Sequence, residues 1–162
     1  STVGAGTTVT LLLPRSVAEN GPVADDTIVQ QALPGGDETI LVVEDDADLR
    51  ETVVTALRQL GYQTLEAGSG PEALTLLAGD ARVDLLFTDI MMPGGMLGPA
   101  LAQKARESRP GLGVLFTTGY AERGVLASGD GVAASEVIAK PYRTEDLAQR
   151  IRQVIDRETR IV

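Results

Sequence analysis

Short, unbroken apolar runs alternate with stretches of helical periodicity from Thr39 to the end of the chain. The first run, at 40–43, precedes a set of apolar residues at helical spacing: Leu49, Val53, Leu57 and Leu60. Unbroken apolar runs are typical of strands covered on both faces. Apolar residues three or four positions apart are typical of a helix that packs along one side. We therefore predict a strand and then a helix that ends at Gly61.

Four further units repeat this alternation of strand and helix. The predicted strands lie at 63–67, 83–88, 114–117 and 136–139. The helices that follow them are predicted to begin at Gly70-Pro71 and to lie at 99–107, 121–128 and 144–157. Proline suits the first turn of the helix at 70, whereas glycines interrupt the pattern at 121–128. The alternation predicts an α/β fold with a doubly wound, five-stranded parallel sheet.

The N-terminal part of the chain lacks that alternation. Residues 7–13 are β-branched and apolar enough for a strand, which Pro14 would end. Residues 15–38 are rich in Pro, Gly, Asp and Ala and show no sustained periodicity, which is typical of a linker. The chain starts at Ser1 with neither a methionine nor a signal-peptide pattern, so we expect it to be a segment of a longer protein.

Length and composition limit the class of protein. With 162 residues and 43% hydrophobic content, the chain can bury one sizeable core. A net charge of −9 argues against nucleic acid and anionic membranes as direct partners, since both are bound through clusters of Lys and Arg. The chain has no cysteine and no apolar stretch of the roughly 18 residues that a membrane span needs. We therefore expect a cytoplasmic location.

The chain also has no histidine. This excludes catalytic triads that use histidine, and it removes the commonest general base and the usual ligand of catalytic zinc. Chemistry at any site must therefore depend on carboxylates, lysine and hydroxyl groups. A phosphohistidine, if one is involved, must belong to another segment or another protein.

Polar side chains stand where the predicted strands end. These residues are Glu44 and Asp45 after the first strand, Asp89 after the third, Thr118 after the fourth, and Lys140 with Pro141 after the fifth. Because the carboxyl ends of parallel strands meet at one edge of a sheet, we expect these side chains to form one site. Carboxylate oxygens suit a hard cation such as Mg²⁺ (or Mn²⁺), and lysine and threonine can hold phosphoryl oxygens. The sequence thus predicts a site for a divalent metal and a phosphoryl group.

Each position also has an ordinary structural explanation. An acidic pair can be a solvated turn before a helix, and aspartate before a loop of proline and glycine is often a turn former. Lys140 at a strand end is by default solvated, and Met91 is more often a packing residue, although its backbone carbonyl could bind a metal. Pro141 adds a sharp turn, which a cis peptide bond would produce and which would direct the lysine inward. The joint occurrence at strand ends favours Asp89 as a nucleophile that becomes an aspartyl phosphate.

The order of these residues resembles the response-regulator receiver domain: an acidic pair, a phospho-accepting aspartate, a threonine followed by a small residue, and Lys-Pro. The resemblance extends from about Thr39 to Val162, and it implies the (βα)5 flavodoxin-like receiver fold with Mg²⁺ as cofactor. It implies that the metal is bound by Glu44, Asp45, Asp89 and the backbone carbonyl of Met91. It further implies phosphorylation at Asp89, a switch hydroxyl at Thr118, phosphate binding by Lys140, and support of the phosphate pocket by Gly119 and Pro141.

Three further stretches resemble parts of hybrid histidine kinases. Residues 93–96 and 116–120 are similar to the C-terminal receivers of such kinases, and residues 1–14 are similar to the last strands of a histidine-kinase ATPase domain. The resemblance implies an ATPase remnant at 1–14, a linker at 15–38 and a receiver domain at 39–162. It also implies a phosphohistidine domain of the kinase, or a histidine phosphotransfer protein, as partner. A membrane-anchored parent kinase, and a dimer formed through it, are compatible with this resemblance.

Two positions depart from the family pattern, and two alternatives stay open. Glu44 stands where aspartate is commoner, and Val137 stands where many members carry a tyrosine or phenylalanine. One alternative is a pseudo-receiver that binds partners without phosphorylation, although the complete set of acids, threonine and lysine argues against it. The other is an aspartate-nucleophile phosphatase, which would need a second aspartate where this chain has Met91. A receiver, in contrast, is a phospho-acceptor with at most slow autodephosphorylation.

Overall fold

The computed structural model describes residues 33–92, 96–119 and 136–159, together with the single residues 10, 12 and 133. The chain divides into two units between Gln31 and Ala32, and the fold given below is that of the second unit. Four predicted features lie outside the described residues: the strand at 7–13 except for positions 10 and 12, most of the linker, the loop at 93–95 and the helix at 121–128.

Five parallel strands form one sheet in the order β2-β1-β3-β4-β5. The strands are β1 (Thr39–Val43), β2 (Gln63–Ala67), β3 (Leu85–Asp89), β4 (Gly113–Thr118) and β5 (Val137–Ala139). The helices described between and after them are α1 (Ala47–Gln59), α2 (Gly70–Leu77), α3 (Gly98–Ser108) and α4 (Thr144–Thr159). This arrangement confirms the predicted α/β fold with a doubly wound parallel sheet.

Two apolar cores cover the two faces of the sheet. On one face, Leu41 and Leu86 pack with residues of α2 and α3. On the other face, Ile40 and Phe87 pack with residues of α1 and α4. Because successive residues of a strand point to opposite faces, a strand covered on both sides must be apolar throughout. This is why β1 and β3 appear in the sequence as unbroken apolar runs.

Helix α1 begins at an aspartate cap directly after the first strand. The side chain of Asp46 accepts hydrogen bonds from two backbone N–H groups of the first turn. The residues that α1 buries are Val53, Val54 and Leu57. Leu49, which belongs to the predicted helical pattern, is instead 47% exposed and borders a cavity beside Glu44 and Lys140. The first turn of the helix therefore faces the site rather than the core.

Residues just before β1 also make contacts within this unit. The N–H of Gly36 donates to the carbonyl of Leu60 at 3.3 Å, and the carboxylate of Glu38 accepts from Arg152 of α4 at 2.7 Å. These contacts extend the folded unit to the N-terminal side of Thr39. Among the helices of the described segments, none combines the length and the apolar content that crossing a membrane requires.

Candidate phosphoryl and metal site

The parallel register places the predicted site residues at one edge of the sheet. Val43 pairs with Thr88, so Glu44 and Asp89 are level with each other at the ends of neighbouring strands. On the other side of β3, Thr118 pairs with Ala139 of β5, and its carbonyl accepts the N–H of Lys140 at 2.8 Å. The hydrogen-bond ladder thus gathers residues that are far apart in the sequence.

Lys140 joins the first and third strands directly. Its Nζ donates to Oδ2 of Asp89 at 2.6 Å and to Oε2 of Glu44 at 2.7 Å. Both acids are buried, with Asp89 at 7% and Glu44 at 5% exposure. The structure therefore brings together three of the predicted site residues in one ion-paired group.

Burial and charge act against each other in this group. Burial raises the pKa of Glu44 above its ordinary value, and the hydrogen bond and charge of Lys140 only partly offset this effect. For Lys140, burial by itself would lower the pKa, but hydrogen bonds to Asp89 and Glu44 outweigh it and the pKa lies above the ordinary value. Lys140 is therefore an ammonium ion at neutral pH, held between two carboxylates.

Asp45 and Met91 complete the predicted metal ligands. Asp45 is exposed next to the buried Glu44. The N–H of Met91 donates to Oδ1 of Asp89 at 3.3 Å, while its side chain is exposed. Within the segments that the structure describes, no three carboxylates are grouped closely enough to bind a metal ion by themselves. The ammonium of Lys140 lies between Glu44 and Asp89 instead.

The donor set nevertheless fits a magnesium ion. Two buried carboxylates share a single ammonium, so the pair keeps an excess of negative charge, which Asp45 increases. Mg²⁺ prefers oxygen ligands and is commonly held by one or two carboxylates while it keeps several waters, so it does not need a complete protein cage. Asp45, Asp89 and the carbonyl of Met91 are the groups that would hold it, with Glu44 acting indirectly.

Thr118, Gly119 and Pro141 lie around the lysine. Thr118 is buried at the end of β4, and its hydroxyl donates to the carbonyl of Gly119 at 3.2 Å. The peptide bond between Lys140 and Pro141 is cis. Gly119, Lys140 and Pro141 line a cavity of about 560 Å³ together with the first turns of α1, which leaves the lysine reachable from outside.

Two contacts at the site were missed by sequence reasoning. Arg50 of α1 donates from Nη1 to the carbonyl of Glu44 at 2.6 Å. Tyr142 packs edge-to-face against Phe87 with ring centroids 6.3 Å apart, and burial raises the pKa of its hydroxyl to about 12. The only sequence signal for the first contact is a basic residue in the first turn of a helix, where acidic residues are normally preferred.

A comparison with known protein families identifies the family of this chain. The response regulator receiver domain family matches residues 40–152. The match covers most of the chain and includes all five strands except the first residue of β1. The chain belongs to this family. It is therefore a receiver domain of the kind found in two-component systems.

Two curated relatives show the range of proteins that contain such a domain. The chain is 33% identical to the sensor kinase CckA of Brucella abortus over 165 aligned positions, which cover 98% of this chain but 17% of that kinase. It is 35% identical to the response regulator receiver protein CpdR of the same organism, with 72% of this chain and 95% of that protein covered. The chain thus corresponds to a small part of one relative and to nearly all of the other.

Solved structures give the same result for the fold. A receiver domain protein from Clostridium thermocellum superimposes with a TM-score of 0.68 at 26% identity, covering 77% of this chain and 99% of that one. The receiver domain of the hybrid histidine kinase CckA superimposes with a TM-score of 0.56 at 35% identity, covering 72% of this chain and 98% of that one. The described fold is therefore the flavodoxin-like receiver fold.

Proposed function

We propose that this chain accepts a phosphoryl group on Asp89 from a phosphohistidine, with Mg²⁺ or Mn²⁺ at the site. The observation that carries the proposal is the contact of one ammonium, that of Lys140, with both Asp89 and Glu44 at the carboxyl edge of the sheet. Buried carboxylates with an ammonium and a hydroxyl close by are suited to phosphoryl transfer, in which positioning and charge supply most of the rate.

In the proposed reaction, a carboxylate oxygen of Asp89 attacks the phosphorus atom. The new bond joins that oxygen to phosphorus, the bond from phosphorus to the donor's imidazole nitrogen breaks, and the imidazole keeps the electron pair and takes up a proton. Because this chain contains no histidine, the donor lies outside this sequence. The N–H of Met91 and the ammonium of Lys140 each hold one oxygen of the Asp89 carboxylate, which supports this role.

Lys140 and Thr118 would bind the oxygens of the transferred group. The ammonium has three hydrogens and can exchange its bond to Asp89 for one to a phosphoryl oxygen. A bound metal, held by Asp45, Asp89 and the Met91 carbonyl, would supply positive charge that stabilises the phosphoryl oxygens. The hydroxyl of Thr118 now donates to the carbonyl of Gly119, and turning it toward the phosphoryl group would be the switch.

The alignment with the sensor kinase supports a place in a hybrid histidine kinase. It extends over 98% of this chain, so it includes positions before the receiver domain. On this basis we assign 1–14 to the end of an ATPase domain and 15–38 to a linker whose last residues, Gly36 and Glu38 among them, pack against the receiver. We also propose a cytoplasmic location.

A phosphohistidine domain or a phosphotransfer protein is the proposed partner. Leu49, Met91 and Leu97 are exposed by 47%, 42% and 41%, and they lie on or next to the elements that form the site. We infer that these side chains form part of the surface that meets the partner, since exposed apolar patches mark surfaces of this kind. A protein donor that presents its histidine at Asp89 would cover them.

Intact-mass spectrometry tests the proposal. The full chain is incubated with acetyl phosphate and Mg²⁺, and we expect the wild type to gain the mass of one phosphoryl group while Asp89→Asn gains none. Asp80→Asn, a change at an exposed aspartate outside the site, is the matched control and should be labelled like the wild type. A wild type that stays unlabelled while a control receiver reacts would favour the phosphorylation-independent pseudo-receiver. Release of phosphate from a small phosphomonoester would favour the phosphatase.

A further inference from the structure

Arg50 holds the backbone that carries the acidic pair. Its Nη1 donates to the carbonyl oxygen of Glu44 at 2.6 Å, and its side chain is 22% exposed. This carbonyl belongs to the peptide unit that joins Glu44 to Asp45. The N–H of Glu44 donates to the carbonyl of Ala67 at 3.2 Å. The backbone of Glu44 is thus held at both of its polar groups, one by β2 and one by Arg50.

The place of Arg50 in its helix is unfavourable without such a contact. The residue lies in the first turn of α1, and its own N–H donates to the carbonyl of the capping residue Asp46 at 2.9 Å. The N-terminus of a helix carries a partial positive charge, so a cation there is slightly destabilising. A specific acceptor for the guanidinium, such as the Glu44 carbonyl, offsets that cost.

The alternative partner of Arg50 is weaker. Its Nε lies 3.9 Å from Oε2 of Glu66, at the limit of an ion pair, and the side chain of Glu66 is 41% exposed. Glu66 already accepts from Arg58 at 3.1 Å. Exposed ion pairs of this length contribute little to stability. The carbonyl of Glu44 is therefore the principal acceptor that the structure assigns to Arg50.

We infer that Arg50 is a positioning residue, which fixes the peptide between Glu44 and Asp45 and thereby holds the Asp45 carboxylate in place for the metal. The inference rests on the proposed function, because it presumes that Asp45 binds Mg²⁺. Groups that orient metal ligands commonly change metal affinity by about 10- to 100-fold when they are removed.

Charge and positioning have opposite effects on metal affinity here. The guanidinium is a positive charge next to a site for a cation, so its removal, by charge alone, would strengthen Mg²⁺ binding. If Arg50 acts by holding the Glu44–Asp45 peptide, its removal weakens Mg²⁺ binding instead. The sign of the change therefore distinguishes a positioning residue from a nearby charge.

Calorimetric titration of Mg²⁺ into the metal-free full chain measures this sign. We expect Arg50→Gln to bind Mg²⁺ about tenfold more weakly than the wild type. Arg50→Lys keeps the charge and one donor, and we expect an intermediate affinity. Arg58→Gln is the matched control, because Arg58 lies on the same helix but contacts Thr64 and Glu66 rather than the acidic pair. We expect it to bind like the wild type.

Amide hydrogen exchange of the metal-free protein provides a second readout. We expect faster exchange at Asp45 and Asp46 in Arg50→Gln than in Arg58→Gln, since the loop loses its anchor. If Arg50→Gln does not fold, Arg50→Lys is compared with the wild type in both measurements. Affinity in the folded Arg50 variants equal to or tighter than that of the wild type would overturn this inference alone. A wild type that binds no Mg²⁺ would overturn the proposed function as well.

Discussion

Lys140 donates to Asp89 at 2.6 Å although the two residues are 51 positions apart in the sequence. The same ammonium donates to Glu44 at 2.7 Å, so it neutralises part of the charge of two buried acids at once. The contact is possible because β1, β3, β4 and β5 are adjacent and parallel, which places their carboxyl ends side by side. We therefore expect the stability of the metal-free protein and the proposed chemistry of the site to depend on the same lysine.

Replacing Lys140 by glutamine should destabilise the metal-free protein. Without the ammonium, two buried carboxylates would face each other, and we expect the free energy of unfolding to fall by roughly 1–3 kcal/mol. Mg²⁺ should restore part of this loss, because a divalent cation can neutralise the same acids. Urea unfolding in EDTA and in Mg²⁺ measures both effects. Lys104→Gln, at an exposed position of α3, is the control, and equal stability of the two variants in EDTA would contradict the prediction.

Removing the hydroxyl of Thr118 should slow phosphorylation. If that hydroxyl binds a phosphoryl oxygen, Thr118→Ala should reduce the rate of mass gain with acetyl phosphate by about tenfold, since a hydrogen bond to a charged group contributes about 1.5–3 kcal/mol. Thr118→Ser keeps the hydroxyl and should react nearly as fast as the wild type. The neighbouring Thr117→Val is the control. Thr117 is fully buried, and its hydroxyl has no hydrogen-bond partner among the described residues. Equal rates for Thr118→Ala and Thr117→Val would argue against a role for Thr118.

A side chain at position 98 should destabilise the backbone at the end of β3. Gly98 begins α3, and a Cβ there would collide with the backbone carbonyl of Asp89 and lie 3.1 Å from Cα of Ile90. We expect Gly98→Ala to lower the free energy of unfolding by roughly 1–3 kcal/mol, because neither backbone atom can move without shifting the end of β3. Gly68→Ala is the matched control, since its Cβ would have only ordinary contacts at 3.6 Å with side-chain ends. Urea unfolding of both variants tests the difference.

The ion pair between Glu38 and Arg152 should make stability depend on pH. Burial alone would raise the pKa of Glu38, but the hydrogen bond and charge of Arg152 outweigh it and lower the pKa below 4.5. A lowered carboxyl pKa contributes stability that is present above pH 4.5 and is lost as the pH falls through the lowered value. We therefore expect Glu38→Gln to cost roughly 1–3 kcal/mol at neutral pH and progressively less in acid.

Denaturant unfolding over a pH series measures this dependence. The difference between wild type and Glu38→Gln should shrink once the pH is below 4.5. Asp37→Asn is the control, because Asp37 is the exposed neighbour and lies outside the pair. A cost for Glu38→Gln that stays constant, or that grows in acid, would show that the ion pair does not stabilise the fold.

Local patterns were sufficient to predict the sheet and its helices. The strands and helices of the described segments lie within one or two residues of the predicted positions, as for α3, which was predicted at 99–107 and lies at Gly98–Ser108. The apolar pattern of a helix or strand is repeated along the whole element. Each element is therefore indicated by several residues of the sequence and not by one. Leu49 fits the helical pattern but is exposed, because the first turn of α1 borders the site cavity. Apolar periodicity does not reveal such a cavity.

The sequence by itself determined the receiver fold and the strand ends at which the acids, Thr118 and Lys140 stand, because parallel strands place their carboxyl ends together whatever the details of packing. Only the tertiary structure decided that Lys140 contacts Glu44 as well as Asp89, that Arg50 holds the Glu44 carbonyl, and that Glu38 pairs with α4. These contacts depend on how far long side chains reach between elements, and no local pattern in the sequence encodes that distance.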